Sequence, residues 1–487
     1  MDQPNIDFNI FITANSEHHI RSMIFLASCF NQKHESCKLF LIAASSDYPK
    51  YSIYENIENI KILLIGRRII GSSVNESLNK EFKKKLKVSD KTSIIKKTIS
   101  NLINRPNFGK FFKFFVEFLK ETSIGNLYRE KIATQKFEKD ILECGVYFDL
   151  YRPSLVLSFG DRHPDIEVCV LFNAMNRNIK ILIPYLSNYE TIGGLKVRRD
   201  FNGNTLKGFH TIFPFSLYRI YASYKFRKQI ISNTFFHPPF LLNALCKLKV
   251  LSSFPWCNGN GVSSIVTVDT KRTYNLFKEN FVPESKLNIA GGFAFDKLYE
   301  NFINQANIKV ELYKKYNFNF KKKLIILAVP QGYEQGIIDK ESHWLEVNYI
   351  VEQLSLMNYN FLLSVHPRCD LNHYAFLSEK YNCKIAEEPS YEILPACDIF
   401  VAAYTSLFVW AAMCGIRSIC CDFNNWNLDI YDYLTSVKRI QDRKILKATI
   451  YEIINDKKFD FKKDWDILSR NEVFDGQTIK RYFDLIV

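Results

Sequence analysis

The chain has 487 residues, of which 47% are hydrophobic and 24% are charged, with 18 glycines and 15 prolines. This composition excludes an intrinsically disordered, collagen-like or low-complexity chain, and the length predicts two large domains or three smaller ones. The twelve cysteines include no Cys-x-x-Cys pair, so we expect reduced thiols in a cytoplasmic protein. The N-terminus carries acidic residues where a signal peptide needs basic ones, and we expect no export.

The formal net charge of +14 is concentrated in the first part of the chain. Residues 1–297 contain 42 basic and 26 acidic residues, whereas the remainder contains 23 and 25. Residues 80–120 alone hold twelve basic and three acidic residues, interleaved with phenylalanines at helical spacing. This segment is either an amphipathic helix facing the core or a segment lying on an anionic membrane surface. No nucleic-acid module accompanies the charge, so we expect no nucleic-acid partner.

Two uncharged stretches approach the length of a membrane span. Residues 229–246 are interrupted by His237 and two prolines, and residues 399–416 read as a strand, a polar turn and a buried helix closed by Gly415. We therefore expect a peripheral contact with the inner face of the cytoplasmic membrane rather than a transmembrane helix.

Short apolar runs alternate with helical patterns along the whole chain, which predicts parallel sheets covered on both faces. The predicted strands are residues 8–13, 38–43, 61–65, 154–159, 180–183, 264–268, 324–329, 361–365, 399–403 and 418–422. The predicted helices are residues 16–30, 165–176, 271–280, 344–357, 391–396 and 407–414.

The alternation of apolar runs and helical patterns is interrupted twice and then resumes. These interruptions predict the domain organisation. Basic insertions at about 80–145 and 194–255 fall inside a first Rossmann-like domain, residues 1–297. Residues 298–487 form a second Rossmann-like domain, and the last helix is a candidate to return to the first. The predicted fold class is thus α/β, with two doubly wound domains facing each other across a cleft.

Ligands of open α/β sheets bind beyond the carboxyl ends of the strands, so the loops that follow strands are the first candidates. Four such loops carry polar groups. They are Gly160-Asp161-Arg162-His163, Gln331-Gly332-Tyr333-Glu334, His366-Pro367-Arg368 and Tyr404-Thr405-Ser406.

The second domain offers groups suited to an anion. Thr405 and Ser406 lie between a strand and a helix, where hydroxyls and backbone N–H groups can face a phosphate. The alternative is an ordinary helix N-cap. His366 ends an apolar strand with Arg368 beside it, and this pair together with the Thr-Ser turn favours a nucleotide phosphate site.

Asp161 has the complementary property, because it is an acid on a strand-end turn of the first domain. It is a candidate general base, with His163 as a weaker one. The alternative interpretation is that Asp161 pairs with Arg162 or caps the following helix. No Walker, Gly-x-Ser-x-Gly, His-Glu-x-x-His or Asp-x-Asp signature is present.

These residues resemble motifs of a known family. His366-Pro367 and Thr405-Ser406 are similar to the HP and Ser/Thr motifs in the nucleotide-binding half of GT-B glycosyltransferases of bacterial surface-polysaccharide synthesis. The segments Glu388–Asp398 and Gly415–Ile419 match the family's flanking patterns, and Gly291–Asp296 is similar to the turn between its two domains. The resemblance covers about residues 260–425.

The resemblance implies a fold and a donor class. These motifs recur in sialyl-, polysialyl- and Kdo transferases and in CDP-glycerol polymer transferases, which implies a cytidine nucleotide held through its phosphates. One departure is that residues 408–412 lack the glutamate with which many UDP-sugar GT-B enzymes hold the ribose. This absence weakens a UDP donor and leaves ribose recognition to the loop at Gln331 and Gly332 or to Glu388.

The expected activity is transfer of a CMP-activated ulosonic acid, of the Kdo or sialic acid type, to a glycan or lipid-linked acceptor in capsule or lipopolysaccharide assembly. His366, Arg368, Thr405 and Ser406 would stabilise the leaving phosphate without a metal ion or other cofactor, and Asp161 would act at the acceptor. Two alternatives remain open, namely a CDP-glycerol or ribitol phosphotransferase and a non-catalytic GT-B-like assembly scaffold.

Overall fold

The computed structural model describes residues 8–13, 17–31, 38–47, 51–56, 60–65, 123–162, 164–185, 230–231, 234–334, 338–366 and 369–486. The basic segment 80–120 and most of the second predicted insertion lie outside these ranges. The chain divides into two compact units. One comprises Met1–Ile183, Thr191–Ile265 and Asn280–Lys286, and the other comprises Pro184–Glu190, Val266–Glu279 and Leu287–Val487.

Two large parallel sheets dominate the described residues. The strands are β1 Asn9–Thr13, β2 Lys38–Ala44, β3 Ile60–Ile65, β4 Leu155–Ser158, β5 Lys180–Ile183, β6 Ile230–Ile231, β7 Thr234–Phe235, β8 Ile265–Val268, β9 Leu287–Ile289, β10 Leu324–Ala328, β11 Asn360–Ser364, β12 Lys384–Ile385, β13 Ile399–Ala402, β14 Ser418–Cys421 and β15 Val437–Ile440. The seven-stranded sheet has the order β3-β2-β1-β4-β5-β8-β9 and the six-stranded sheet the order β12-β11-β10-β13-β14-β15. Strands β6 and β7 form a separate antiparallel pair.

The helices connect these strands and cover the sheets. They are α1 Glu17–Asn31, α2 Ser123–Tyr151, α3 Ile166–Asn176, α4 Pro239–Lys247, α5 Lys271–Glu279, α6 Phe295–Ile303, α7 Gln305–Lys315, α8 Lys340–Ser355, α9 Ala375–Tyr381, α10 Ser390–Ile393, α11 Leu407–Met413, α12 Leu446–Asn455, α13 Lys462–Leu468, α14 Arg470–Val473 and α15 Thr478–Asp484. The predicted α/β class with parallel sheets is therefore confirmed.

Strand β10 shows why the six-stranded sheet is parallel and buried. Leu324 and Ile326 enter one apolar cluster together with residues of α6, α7 and α11. Ile325 and Leu327 enter another cluster, which contains α8 and α12. Because side chains alternate between the two faces of a strand, a continuous apolar run requires helices on both sides.

All ten predicted strands are confirmed to within one residue at each end. The sequence prediction missed β6, β7, β9 and β15, and it left β12 as an isolated apolar position. Strand β15 reads Val-Lys-Arg-Ile at the edge of its sheet and is mostly half-buried, so no apolar run marks it. Helix α8 begins four residues before the prediction, because Asp339 caps it by accepting a hydrogen bond from the Ser342 N–H at 2.9 Å.

The two uncharged stretches have the interruptions that the sequence predicts. Residues 399–416 contain β13, a turn and α11, and Gly415 follows α11 with φ +70°. Residues 230–246 contain β6, β7 and most of α4, in the part of this stretch that the structure describes. None of the described helices is long and apolar enough to cross a bilayer.

The segment Gly291–Asp296 contacts the start of the C-terminal helix α15. Gly291 has φ +94°, and a Cβ atom there would lie 2.6 Å from Oγ1 of Thr478, so this position requires glycine. The carboxylate of Asp296 accepts hydrogen bonds from the N–H groups of Thr478 at 2.7 Å and Ile479 at 3.0 Å. These are N–H groups of the first turn of α15, which have no partner inside the helix.

We expect Asp296→Asn to lower the free energy of unfolding by about 1–2 kcal/mol, because an amide cannot accept both N–H groups. Urea denaturation measures this change. Asp484→Asn is the control, since Asp484 lies on the same helix in an exposed pair with Lys480 and should change stability by less than about 0.5 kcal/mol. Equal effects of the two substitutions would contradict the capping role.

Candidate functional site

The carboxyl ends of three adjacent strands lie level in the six-stranded sheet. Ala328 of β10 pairs with Ser364 of β11 on one side and with Ala402 of β13 on the other. Neighbouring strands are about 4.8 Å apart, so the loops after β11 and β13 leave the sheet about 10 Å from each other, with the loop after β10 between them. The structure thus brings three of the predicted loops to one edge of this sheet.

The loop after β13 presents two hydroxyls at this edge. Oγ1 of Thr405 accepts a hydrogen bond from the N–H of Leu407 at 3.3 Å, as expected for a residue that starts a helix. Ser406 is exposed, and its side chain does not cap α11. Since α11 has only seven residues, any anion contact here depends mainly on side-chain and backbone donors rather than on a helix dipole.

Tyr404 joins this loop to the loop after β14. Its ring stacks on Trp426 with the centroids 5.9 Å apart, and its hydroxyl accepts a hydrogen bond from the N–H of Leu428 at 3.0 Å. Burial raises the pKa of Tyr404 to about 12. The phenol is therefore neutral at pH 7, and its contacts with protein groups indicate that it positions the loop.

The loop after β10 contains Gln331 and Gly332, and it closes on itself. The N–H of Ile338 donates to the carbonyl of Gly332 at 3.1 Å. A Cβ atom on Gly332 would lie 2.7 Å from the side chain of Ile338, so a larger residue here would displace that side chain. Gln331 is half-buried and directly precedes this turn.

His366 follows β11 by two residues and is half-buried. Its carbonyl accepts a hydrogen bond from the N–H of Cys369 at 2.9 Å, which closes the turn after this strand. Pro367 and Arg368 lie outside the described residues, so their predicted phosphate contacts stay predictions.

Both carboxylate oxygens of Glu388 have hydrogen-bond partners within the protein. One carboxylate oxygen accepts from Nζ of Lys315 and the other from the hydroxyl of Tyr316, each at 2.6 Å. Burial favours the neutral acid, but the hydrogen bonds from Lys315 and Tyr316 outweigh it and lower the pKa of Glu388. Because both oxygens are occupied within the fold, we leave Glu388 out of the proposed nucleotide site.

Asp161, the predicted general base, is only 1% exposed and organises a loop. Its carboxylate accepts from the N–H groups of Gly259 at 2.9 Å and Gly261 at 2.8 Å, and from Oγ of Ser263 at 2.7 Å. Helix α3 is instead capped by Asp165. We therefore propose no general-base role for Asp161. The other candidate base, His163, lies outside the described residues.

We expect Asp161→Asn to destabilise the protein by about 1–3 kcal/mol, because the amide would turn N–H donors toward the N–H groups of the loop. Thermal and urea unfolding measure this effect. The control is Asp149→Asn, which removes an exposed ion pair with Arg177 and should change little. Loss of catalysis at unchanged stability would instead restore the base role.

Sequence reasoning missed a second acid that also follows a strand. Asp269 comes directly after β8 and is 4% exposed. Its carboxylate accepts a hydrogen bond from Oγ1 of Thr270 at 3.2 Å, and this hydroxyl lies 3.1 Å from Oγ1 of Thr273. Burial raises the pKa of Asp269 to about 6, since the hydrogen bonds to the carboxylate do not offset desolvation. The strand-end rule used for Asp161 would have identified it.

This shift has a definite sign for stability. The pKa of Asp269 is higher in the folded protein than the ordinary 3.8, so folding favours the protonated acid. The resulting stability is complete below about pH 4 and is lost as the pH rises through about 6. We expect Asp269→Asn to remove this loss and to stabilise the protein at pH 8 by up to about 3 kcal/mol.

Urea denaturation at pH 5 and pH 8 tests this prediction. The gain from Asp269→Asn should be larger at pH 8 than at pH 5, whereas Asp484→Asn, at an exposed position, should show no such difference. A gain of the same size at both pH values would show that Asp269 does not titrate in this range.

The part of the chain that the structure describes contains no group of three or more His, Cys, Asp or Glu side chains placed to hold a metal ion. No protein-family model matches the sequence, and no curated protein sequence matches it.

The fold, in contrast, is similar to solved structures. The calicheamicin glycosyltransferase CalG4 superposes with a TM-score of 0.50 at 7% identity, over 99% of this chain and 98% of that one. A UDP-GlcNAc 2-epimerase from Neisseria meningitidis, bound to UDP-GlcNAc, gives a TM-score of 0.47 at 11% identity over 98% and 99%. MurG from Acinetobacter baumannii gives 0.43 at 11% identity over 98% and 99%. The superposition on CalG4 shows that the two parallel-sheet α/β units have the GT-B fold, and at 7% identity the likeness concerns the fold alone.

Proposed function

We propose that this protein is a glycosyltransferase that moves a sugar from a nucleotide donor to a glycan or lipid-linked acceptor, with a CMP-activated ulosonic acid as the donor. The observation that carries the proposal is the level register of β11, β10 and β13. This register supports the proposal because His366, Thr405 and Ser406 follow β11 and β13 at the edge of the sheet where open α/β folds bind their ligands.

The proposed chemistry is stabilisation of a leaving phosphate. As the bond between the anomeric carbon and the phosphate oxygen breaks, negative charge grows on the nucleotide. His366 on one side of β10 and Thr405 and Ser406 on the other supply donors to phosphate oxygens. These groups are attached to a buried sheet, so little reorganisation is needed when the charge develops.

The proposed cytidine donor is supported by what the helix after Ser406 contains. Phe408, Ala411 and Ala412 are fully buried in the apolar cluster beside β10, and no acid stands on this helix to bind a ribose. Gln331, between the two phosphate-binding loops, is the candidate for nucleoside contacts. We also propose a role in capsule or lipopolysaccharide assembly. In this role the basic segment 80–120 makes a peripheral contact with an anionic membrane.

A thermal-shift panel with CMP, CDP, UDP and GDP tests the donor. A ligand at 100 times its dissociation constant stabilises the folded state by about 2.7 kcal/mol. We expect the largest shift with CMP and its loss in His366→Ala, because the phosphate loses an imidazole donor. His373→Ala is the matched control, since His373 is an exposed histidine in the same segment and should leave the shift unchanged.

The outcomes separate the parts of the proposal. A shift with UDP alone would overturn the cytidine donor and leave the nucleotide site in place. No shift with any nucleotide, or a shift that His366→Ala does not reduce, would overturn the site itself. Transfer from a CMP-activated ulosonic acid to a glycan acceptor, followed by product mass, then tests the reaction.

A further inference from the structure

A polar cluster with two buried members, Tyr374 and His343, connects the loop after β10 with the segment after β11. The hydroxyl of Tyr374 donates a short hydrogen bond to Oε1 of Glu334. Burial, followed by the charge of the nearby Glu334 carboxylate, raises the pKa of the Cys369 thiol to about 11, so this thiol lies beside the pair. Glu334 belongs to the loop after β10 and Cys369 to the turn after β11, so the cluster joins two separate loops.

His343, in the first turn of α8, completes the cluster. Its Nε2 lies 3.3 Å from the Tyr374 hydroxyl and 3.9 Å from Oε1 of Glu334. Burial lowers the pKa of His343, so the imidazole is neutral at pH 7. The single hydroxyl hydrogen of Tyr374 is given to Glu334, so Nε2–H of the imidazole is the donor toward the Tyr374 oxygen.

The cluster is placed to hold the loops rather than to contact a substrate. Tyr374 and His343 are both 0% exposed. Burial, followed by the hydrogen bond to Glu334, raises the pKa of Tyr374 and keeps the phenol neutral. Glu334 lies at the exposed rim of the cluster. If Glu334 moved away, the buried hydroxyl of Tyr374 would lose its acceptor, which favours one arrangement of the two segments.

We propose that Glu334, Tyr374, Cys369 and His343 form a latch that fixes the loop after β10 to the turn after β11 and so positions Gln331 and His366 for the nucleotide. These are positioning residues, and their role rests on the proposed function. Gln331 stands three residues before Glu334, and His366 three residues before Cys369, so a shift of either latch residue moves a proposed ligand group.

Hydrogen exchange of the full chain without ligand tests the latch. Two amides report on the two loops, namely the Ile338 N–H, which donates to the Gly332 carbonyl, and the Cys369 N–H, which donates to the His366 carbonyl. We expect Tyr374→Phe and Glu334→Ala each to speed exchange at least five-fold in the peptides that contain both amides. Glu334→Gln, which keeps an acceptor oxygen, should recover most of the protection.

Tyr313→Phe is the matched control. Tyr313 is 2% exposed, and its hydroxyl donates to the carbonyl of Lys322 at 2.7 Å, away from the latch. Like Tyr374→Phe, it removes a phenol hydroxyl that is hydrogen-bonded within the fold, yet it should leave both reporter peptides unchanged. Acceleration at only one loop, equal acceleration in Tyr313→Phe, or additive effects of Tyr374→Phe and Glu334→Ala would overturn the latch.

A binding measurement connects the latch to the proposed site. We expect the dissociation constant of CMP to rise at least five-fold in Tyr374→Phe and to stay unchanged in Tyr313→Phe. If the wild-type protein binds no CMP, the proposed function fails, whereas the exchange experiment still decides whether the two loops are coupled. Coupled exchange with unchanged CMP affinity would overturn the positioning role alone.

Discussion

The parallel pairing of β11, β10 and β13 is the constraint on which the candidate site depends. Residues of these strands that pair across the sheet are fixed by backbone hydrogen bonds, so the last residues, Ser364, Ala328 and Ala402, end at the same height. Groups that are about 35 to 75 positions apart in sequence therefore meet at one edge. The apolar clusters on both faces keep this register, because a slip by one residue would exchange the two faces of each strand.

Around this framework, aspartates act repeatedly as acceptors of backbone N–H groups. Asp161 accepts hydrogen bonds from N–H groups of the loop 259–263, and Asp296 accepts them from the start of α15. Asp422 accepts hydrogen bonds from the N–H groups of Trp426 and Asn427. Asp464, which is fully buried, accepts from Thr435 and Ser436. A loop that leaves a sheet has unpaired N–H groups, and a carboxylate satisfies two of them at once. An acidic residue near the end of a strand can therefore hold a loop in place just as well as act in catalysis.

Contacts within the protein also order the loops of the proposed nucleotide site. Tyr404 stacks on Trp426 and accepts from Leu428, which ties the loops after β13 and β14. The pair of Glu334 and Tyr374 ties the loops after β10 and β11. Loops that are already ordered lose less conformational freedom on binding, and fixed donors stabilise a developing charge better than mobile ones.

The sequence by itself determined ten of the strands, the parallel α/β class and the loops that carry the candidate site, because apolar runs and strand-end polar residues are local patterns. Only the tertiary structure shows which partners the individual acids have. Asp161 reads like a base and Glu388 like a ribose ligand, yet the partners of Asp161 lie about 100 positions away and those of Glu388 about 70 positions away. Asp269 owes its raised pKa to burial by several elements of one unit. Such partners are brought together by packing, which no local pattern records.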